Sequence, residues 1–276
     1  MSPWCDSTGI VLVAVLGIFL GRVFSRCRGS YWTLGYFLPC VAIAVLALAR
    51  CNNALYFVRP FCWVTTGRVR FIIVSLAISM GLTAPLSRLP RRCERLLVCI
   101  LMAVAVTGSC VLPFLVPALI RDRLSSLRTR FDPNGVCRQT TDYTCGPAAA
   151  VTALRQLGLA ADEGEIAVLS YSNPVTGTLP TFLCSALNNR YSAAGLKCQY
   201  RRFDSINQLR DGGVTLVVVK KTFLLDHCLA VLEVSDNMIT TADPVTGTKL
   251  MPREQFEKIW RFAGIVLERD SVDGAQ

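Results

Sequence analysis

Long apolar runs fill the first 120 residues of this 276-residue chain, and beyond them the pattern breaks into short mixed segments. The runs are approximately Gly9–Phe24, Tyr31–Ala49, Phe71–Ser87 and Leu96–Ile120. Crossing a hydrocarbon core about 30 Å thick takes roughly 17–25 helical residues, so the pattern predicts four transmembrane helices. Arg22, near the end of the first, can snorkel to the interface. Pro113 and Pro117 predict a kink or fraying in the last. The weaker stretch Asn53–Thr66 is interrupted by Arg59-Pro60 and reads as a loop or interfacial segment. Met1–Thr8 has no Lys or Arg, and no small-residue cleavage pattern precedes Arg22. The first run therefore reads as a retained anchor and not a signal peptide.

A basic connector, Arg121–Arg130, and a turn cluster, Phe131–Gly135, lead into a different periodicity. Cys145–Leu157 reads as a helix, with Pro147 in its first turn, alanines favouring propagation and Gly158 as its stop. Gly164–Tyr171 and Thr181–Ala193 read as further helices, and Ser205–Leu209 and Arg253–Trp260 as shorter ones. Lys197–Phe203, Val214–Lys220, His227–Glu233, Asn237–Ala242 and Ala263–Glu268 read as strands. Helices first and strands second predict an α+β domain with a largely antiparallel sheet. The expected division is a transmembrane region over 1–120, a basic linker over 121–133, a folded domain over 134–270 and a frayed tail, Ser271–Gln276. The motif Asn173-Pro-Val-Thr-Gly177-Thr178 recurs as Asp243-Pro-Val-Thr-Gly247-Thr248 and reads as two similar turns.

Charge sharpens this division. Residues 1–130 carry fifteen arginines, no lysine and three acids, whereas residues 131–276 carry fourteen basic and sixteen acidic side chains. The basic excess sits beside apolar runs, as membrane-flanking arginines do, and not on the folded domain, which argues against nucleic acid as a partner. The arginines that favour one orientation and those that favour the other nearly balance, so the side faced by the domain stays open.

His227 is the one histidine of the chain. It begins an apolar strand, Cys145 begins a helix, and Asp243 follows sixteen residues after the histidine. A thiol at a helix start, an imidazole and a later carboxylate are the parts of a cysteine nucleophile, its base and its orienter. Gln139, six residues before Cys145, can donate its amide to an oxyanion together with the Cys145 backbone N–H. Taken singly, these residues have plainer readings: a structural cysteine, a core histidine, an Asp-Pro turn and a surface glutamine. Asp226 is a rival orienter, disfavoured because strand neighbours point to opposite faces. Tyr143 and Trp260 read as packing residues, Asp142 as solvated, and Glu163 and Glu165 as helix-start acids. There is no Cys-x-x-Cys pair and a single histidine, so no metal or other cofactor is expected. Pairing among Cys137, Cys184, Cys198 and Cys228 is left open.

These motifs together resemble the double-glycine, bacteriocin-processing cysteine peptidases, which are papain-like in fold. The resemblance rests on Gln139-(five residues)-Cys145-Gly146-Pro147-Ala148-Ala149, on Asp226–Leu232, and on Asp243-Pro244-(two residues)-Gly247 followed by Glu254-Gln255-Phe256 and Trp260. It covers about residues 134–268. It implies a nucleophilic Cys145, a base in His227, an orienting Asp243, an oxyanion donor in Gln139, and cleavage of leader peptides after small residues, often Gly-Gly. Thr144 stands where that family usually has Asp, and no phosphate-binding motif is present, which excludes ATP-driven export by this chain alone. The expectation is a multi-pass membrane protein of a bacterial inner membrane carrying a tethered cysteine peptidase. Its partners are the bilayer, a peptide or protein substrate and a separate transporter. The alternative is an inactive peptidase-like domain that binds glycine-ended peptides as a sensor or transporter accessory.

Overall fold

The computed structural model describes residues 3–27, 29–51, 57–59, 61–65, 67–210, 213–222 and 225–269. Of the stretch Asn53–Thr66, residues 53–56, 60 and 66 lie outside these, as does the tail Ser271–Gln276. The chain divides into two compact units, Met1–Leu119 and Ile120–Gln276.

The first unit is helical: α1 (Pro3–Ser25), α2 (Leu34–Cys51), the short α3 (Phe61–Thr65), α4 (Gly67–Thr83), α5 (Arg92–Val106) and α6 (Leu112–Leu119). With the tighter or wider turns that extend them, four helical spans among the described residues are long and apolar enough to cross a membrane: Trp4–Ser25, Ser30–Ala49, Gly67–Arg88 and Arg92–Leu119. They outrun the apolar runs because polar residues occupy their ends. Asp6 in α1 meets Arg68 in α4 at 3.0 Å. From there the two helices run parallel, with the Ser75 hydroxyl donating to Ile10 O at 3.3 Å. Further along, a side chain at Gly17 would run into Ser79, and a Cβ at Gly21 would lie 2.7 Å from Thr83. Small residues at these positions let the two helix backbones approach closely. The expected distortion near Pro113 is a single wide turn, Thr107–Val111, and the helix then continues through Pro117. Pro113 has no N–H and its ring crowds the carbonyl four residues back, so the ladder slips by one residue there.

The second unit opens with α7 (Arg121–Ser125) and a small hairpin, β1 (Arg130–Phe131) and β2 (Cys137–Arg138). Three helices follow: α8 (Cys145–Gln156), α9 (Glu163–Leu169) and α10 (Pro180–Tyr191). Then come β3 (Leu196–Arg202), α11 (Asn207–Arg210), β4 (Val214–Lys220), β5 (Asp226–Val234), β6 (Met238–Asp243), β7 (Gly247–Pro252), α12 (Arg253–Ile259) and β8 (Trp260–Arg269). β3 to β8 form one antiparallel sheet in the order β3-β8-β4-β5-β6-β7. This is the α+β, papain-like arrangement. The patterning misses β7 because that strand lies at the sheet edge with Thr248, Lys249 and Leu250 all exposed, so no buried face imposes alternation.

The sheet has a core on each face. On one, α8 packs on β5 and β4, and Ala148, Ala149, Ala150 and Ala153 are fully buried. Ala230 and Ala242, also fully buried, lie in the same cluster. Small residues on both surfaces let the helix seat closely against the sheet. On the other face Phe203, Phe256 and Trp260 cluster with Val217, Val219, Leu229 and Val231. Burying each such large side chain contributes about 1.5–3 kcal/mol.

Candidate active site

Cys145 is the first residue of α8, and the first helical bond runs from Ala148 N–H to Thr144 O at 3.0 Å. Cys145 and Gly146 therefore have N–H groups with no partner inside the helix, and Pro147 has none to satisfy. The Gly146 N–H turns to the Cys145 sulfur, as does the Cys228 N–H from the neighbouring strand. Thr144 shapes the approach: its hydroxyl accepts the Thr141 N–H at 3.2 Å and donates to Thr141 O at 3.1 Å, closing the turn before the helix.

His227, second residue of β5, reaches the Cys145 sulfur by a side-chain hydrogen bond. Its Nε2 lies 2.8 Å from Asp243 Oδ1, which leaves Nδ1 for the sulfur. Asp243, last residue of β6, has its carboxylate held on both oxygens. Oδ1 also accepts the Val245 N–H at 2.8 Å, and Oδ2 accepts the Thr246 hydroxyl at 2.8 Å. Asp226 is engaged elsewhere, 2.9 Å from Arg261.

The electrostatics follow from this geometry. Burial opposes charge on Cys145, but the imidazole beside it and the two backbone N–H groups bring the thiol below its ordinary value. Burial also works against a charged His227, and the bonds to Asp243 and Cys145 overcome it and raise the ring to about 9. Asp243 is partly buried, yet the bonds from His227, Val245 and Thr246 hold its carboxyl well below the usual carboxylate range. Each group thus favours the charged form of the other, which biases the pair toward thiolate with imidazolium. Cys137, Cys184, Cys198 and Cys228 are free thiols. Burial pushes Cys137 and Cys198 up to about 12, and pushes Cys228 up as well, the charge on Cys145 adding to it. Among the described residues, Cys145 is the thiol that its surroundings bring down.

Gln139 follows β2 and is tied to the same corner: its N–H donates to Pro244 O at 3.1 Å, next to Asp243. One N–H of its side-chain amide donates to Thr141 O at 2.8 Å, and its Oε1 is buried with no partner. The structure thus brings Cys145, His227 and Asp243 into one bonded chain and fastens the Gln139 backbone beside it. Among the described residues no group of three His, Cys, Asp or Glu side chains is placed to hold a metal.

Two features escaped the reading of the sequence. The repeated motifs do fold as matching turns: Asn173 Oδ1 accepts the N–H groups of Val175 and Thr176 at 2.9 and 3.0 Å, much as Asp243 holds Val245 and Thr246. The signal missed was that the threonine of the second copy supports the orienting carboxylate. Glu163, read simply as a helix-start acid, is fully buried, while Asp162 caps α9 by accepting the Glu165 N–H at 3.0 Å. The Asp-x-x-Glu capping pattern 162–165 already marked Glu163 as surplus to the cap.

Residues 134–272, just over half of the chain, match the model of the Peptidase C39 family. The chain belongs to the Peptidase C39 family. An uncharacterized protein of Methanothermobacter marburgensis is 33% identical over 135 residues, 49% of this chain and 89% of that protein. Among solved structures, the C39 domain is similar to the peptidase domain of Streptococcus ComA, a bi-functional ABC transporter of a quorum-sensing pathway. That match has 22% identity, a TM-score of 0.42, and covers 48% of this chain and 96% of the other. A double-glycine-motif protease from an AMS/PCAT transporter, solved with its leader peptide, matches at 16% identity and a TM-score of 0.42, covering 52% and 96%.

Proposed function

We propose that this C39 protein is a membrane-tethered cysteine peptidase that cuts leader peptides after small residues such as Gly-Gly. The observation that carries the reading is the bonded chain Cys145–His227–Asp243, with Nε2 of the ring 2.8 Å from Asp243. The Cys145 thiolate adds to the substrate carbonyl. The oxyanion is held by the Cys145 N–H and the second amide N–H of Gln139. As the tetrahedral adduct collapses, His227 protonates the leaving amine and the acyl group stays on sulfur as a thioester. Neutral His227 then takes a proton from water, hydroxide displaces the sulfur, and the acid product leaves with the thiolate–imidazolium pair restored. Asp243 holds the ring in the tautomer that presents Nδ1 to sulfur.

Preference for small residues is carried over from the double-glycine-motif protease that the C39 domain is similar to. Four apolar helical spans support tethering in a cell membrane, the bacterial inner membrane being the expected one, with substrates arriving at the bilayer or from a separate transporter. A domain that only bound glycine-ended peptides would need no ionised thiol, which favours the enzyme.

The test uses the full chain in lipid nanodiscs with synthetic peptides carrying an internal Gly-Gly, products being read by mass spectrometry. Cleavage after Gly-Gly that disappears in Cys145→Ala is the expected result. Iodoacetamide should label Cys145 faster than it does in His227→Ala at neutral pH; equal rates would remove the basis for an activated thiol.

A further inference from the structure

Glu163 is fully buried although its side chain is ionisable, and both of its oxygens are spent on one residue. Oε1 accepts the Thr140 N–H at 2.9 Å and Oε2 accepts the Thr140 hydroxyl at 2.6 Å. Burying a carboxylate is costly, and α9 does not need this one, because Asp162 is its cap. The Glu163 backbone is held as well: its N–H donates to the Thr129 hydroxyl at 2.8 Å, and that hydroxyl donates to Asp162 Oδ2 at 2.7 Å. Thr140 follows Gln139 directly. Two more bonds fix the preceding strand: Cys137 N–H to Thr152 Oγ1 of α8 at 2.9 Å, and Gln139 N–H to Pro244 O. The segment 137–140 is thereby pinned to the nucleophile's helix, to the Asp243 turn and, through Glu163, to α9.

We infer that Glu163 is a positioning residue of the oxyanion hole, its buried carboxylate clamping Thr140 so that the Gln139 amide points at the developing oxyanion. The inference rests on the peptidase reading and adds to it a residue that touches neither substrate nor nucleophile. A donor displaced by about 1 Å can cost on the order of a hundredfold in rate, so a clamp one residue away from the donor acts on turnover and not on substrate affinity.

The experiment follows acylation of the full chain in nanodiscs by the p-nitrophenyl ester of acetylglycine, with iodoacetamide labelling of Cys145 measured in parallel. Glu163→Ala should lower kcat by about ten- to a hundredfold, leaving KM and the labelling rate within about twofold. Glu163→Gln should restore most of the loss, since its amide can accept the Thr140 N–H and donate to the hydroxyl oxygen. In a Gln139→Ala background, Glu163→Ala should have no further effect. A loss in that background equal to the loss in wild type overturns the inference, as does labelling that slows in step with kcat. If Gln139→Ala leaves kcat unchanged while Cys145→Ala abolishes it, the inference fails and the peptidase reading stands. A wild type inert to the ester, with Cys145 labelling no faster than in His227→Ala, removes both. Should Glu163→Ala not fold, Thr140→Val decides the matter: it removes only the hydroxyl prong and should show the same pattern at smaller size.

Discussion

The Asp243 carboxylate accepts three hydrogen bonds, and the consequence of the one from the ring appears at His227, raised to about 9 from an ordinary 6.5. A raised folded-state value means that the imidazolium's contribution to stability is fully present below pH 6.5 and is lost as pH rises through about 9. Activity should follow the same limb: kcat/KM stays level up to about pH 9 and falls beyond it, as the proton for the leaving amine is lost. Asp243→Asn removes the charge that holds the ring. It should lower kcat by about 10²- to 10⁴-fold and move the alkaline limb to lower pH, both read from a pH–rate profile. At this scale the convergence of Cys145, His227 and Asp243 was legible because a lone histidine and a Cys-Gly-Pro helix start leave few combinations. Glu163 was not legible, since its partner Thr140 is 23 residues away and an acid before a helix has a simpler explanation.

Elements carry a different constraint. The alanines of α8 favour helix by propensity, but their full burial against Ala230 and Ala242 makes their size the stronger requirement. Ala149→Leu overfills that contact and should cost about 1–3 kcal/mol, seen as a melting temperature several degrees lower. Because α8 carries Cys145, the same variant should also slow iodoacetamide labelling. The strands β4 and β5 were legible from their β-branched apolar runs. The edge strand β7 and the two-residue strands β1 and β2 were not, because pairing with a neighbour, and not a buried face, makes them strands. The wide turn before Pro113 was legible as a disturbance but not as a change of ladder, which depends on where the freed carbonyl finds a partner.

At the scale of the whole molecule, the two units each have their own interior, and the boundary between them falls at Leu119–Ile120, ahead of the connector. The connector is therefore built into the peptidase unit: Leu124 is fully buried, and Thr129 caps the backbone of Glu163. A fragment covering 120–276 should melt cooperatively, and one covering 134–276 should be less stable by about 2–4 kcal/mol, from the lost leucine burial and the lost cap. Equal melting temperatures for the two would show that the connector only links. By itself the sequence determined the apolar lengths that fit a bilayer, the order of helices before strands, and the residue types able to do thiol chemistry. These depend on local composition and spacing. Tertiary structure alone decided which groups share a hydrogen bond, and with them the charge state of the thiol, the orientation of the ring and the clamp on Thr140. Electrostatic and hydrogen-bond energies fall steeply with distance, and the distance between Cys145 and His227 is set by how α8 seats on the sheet, not by the 82 positions that separate them along the chain.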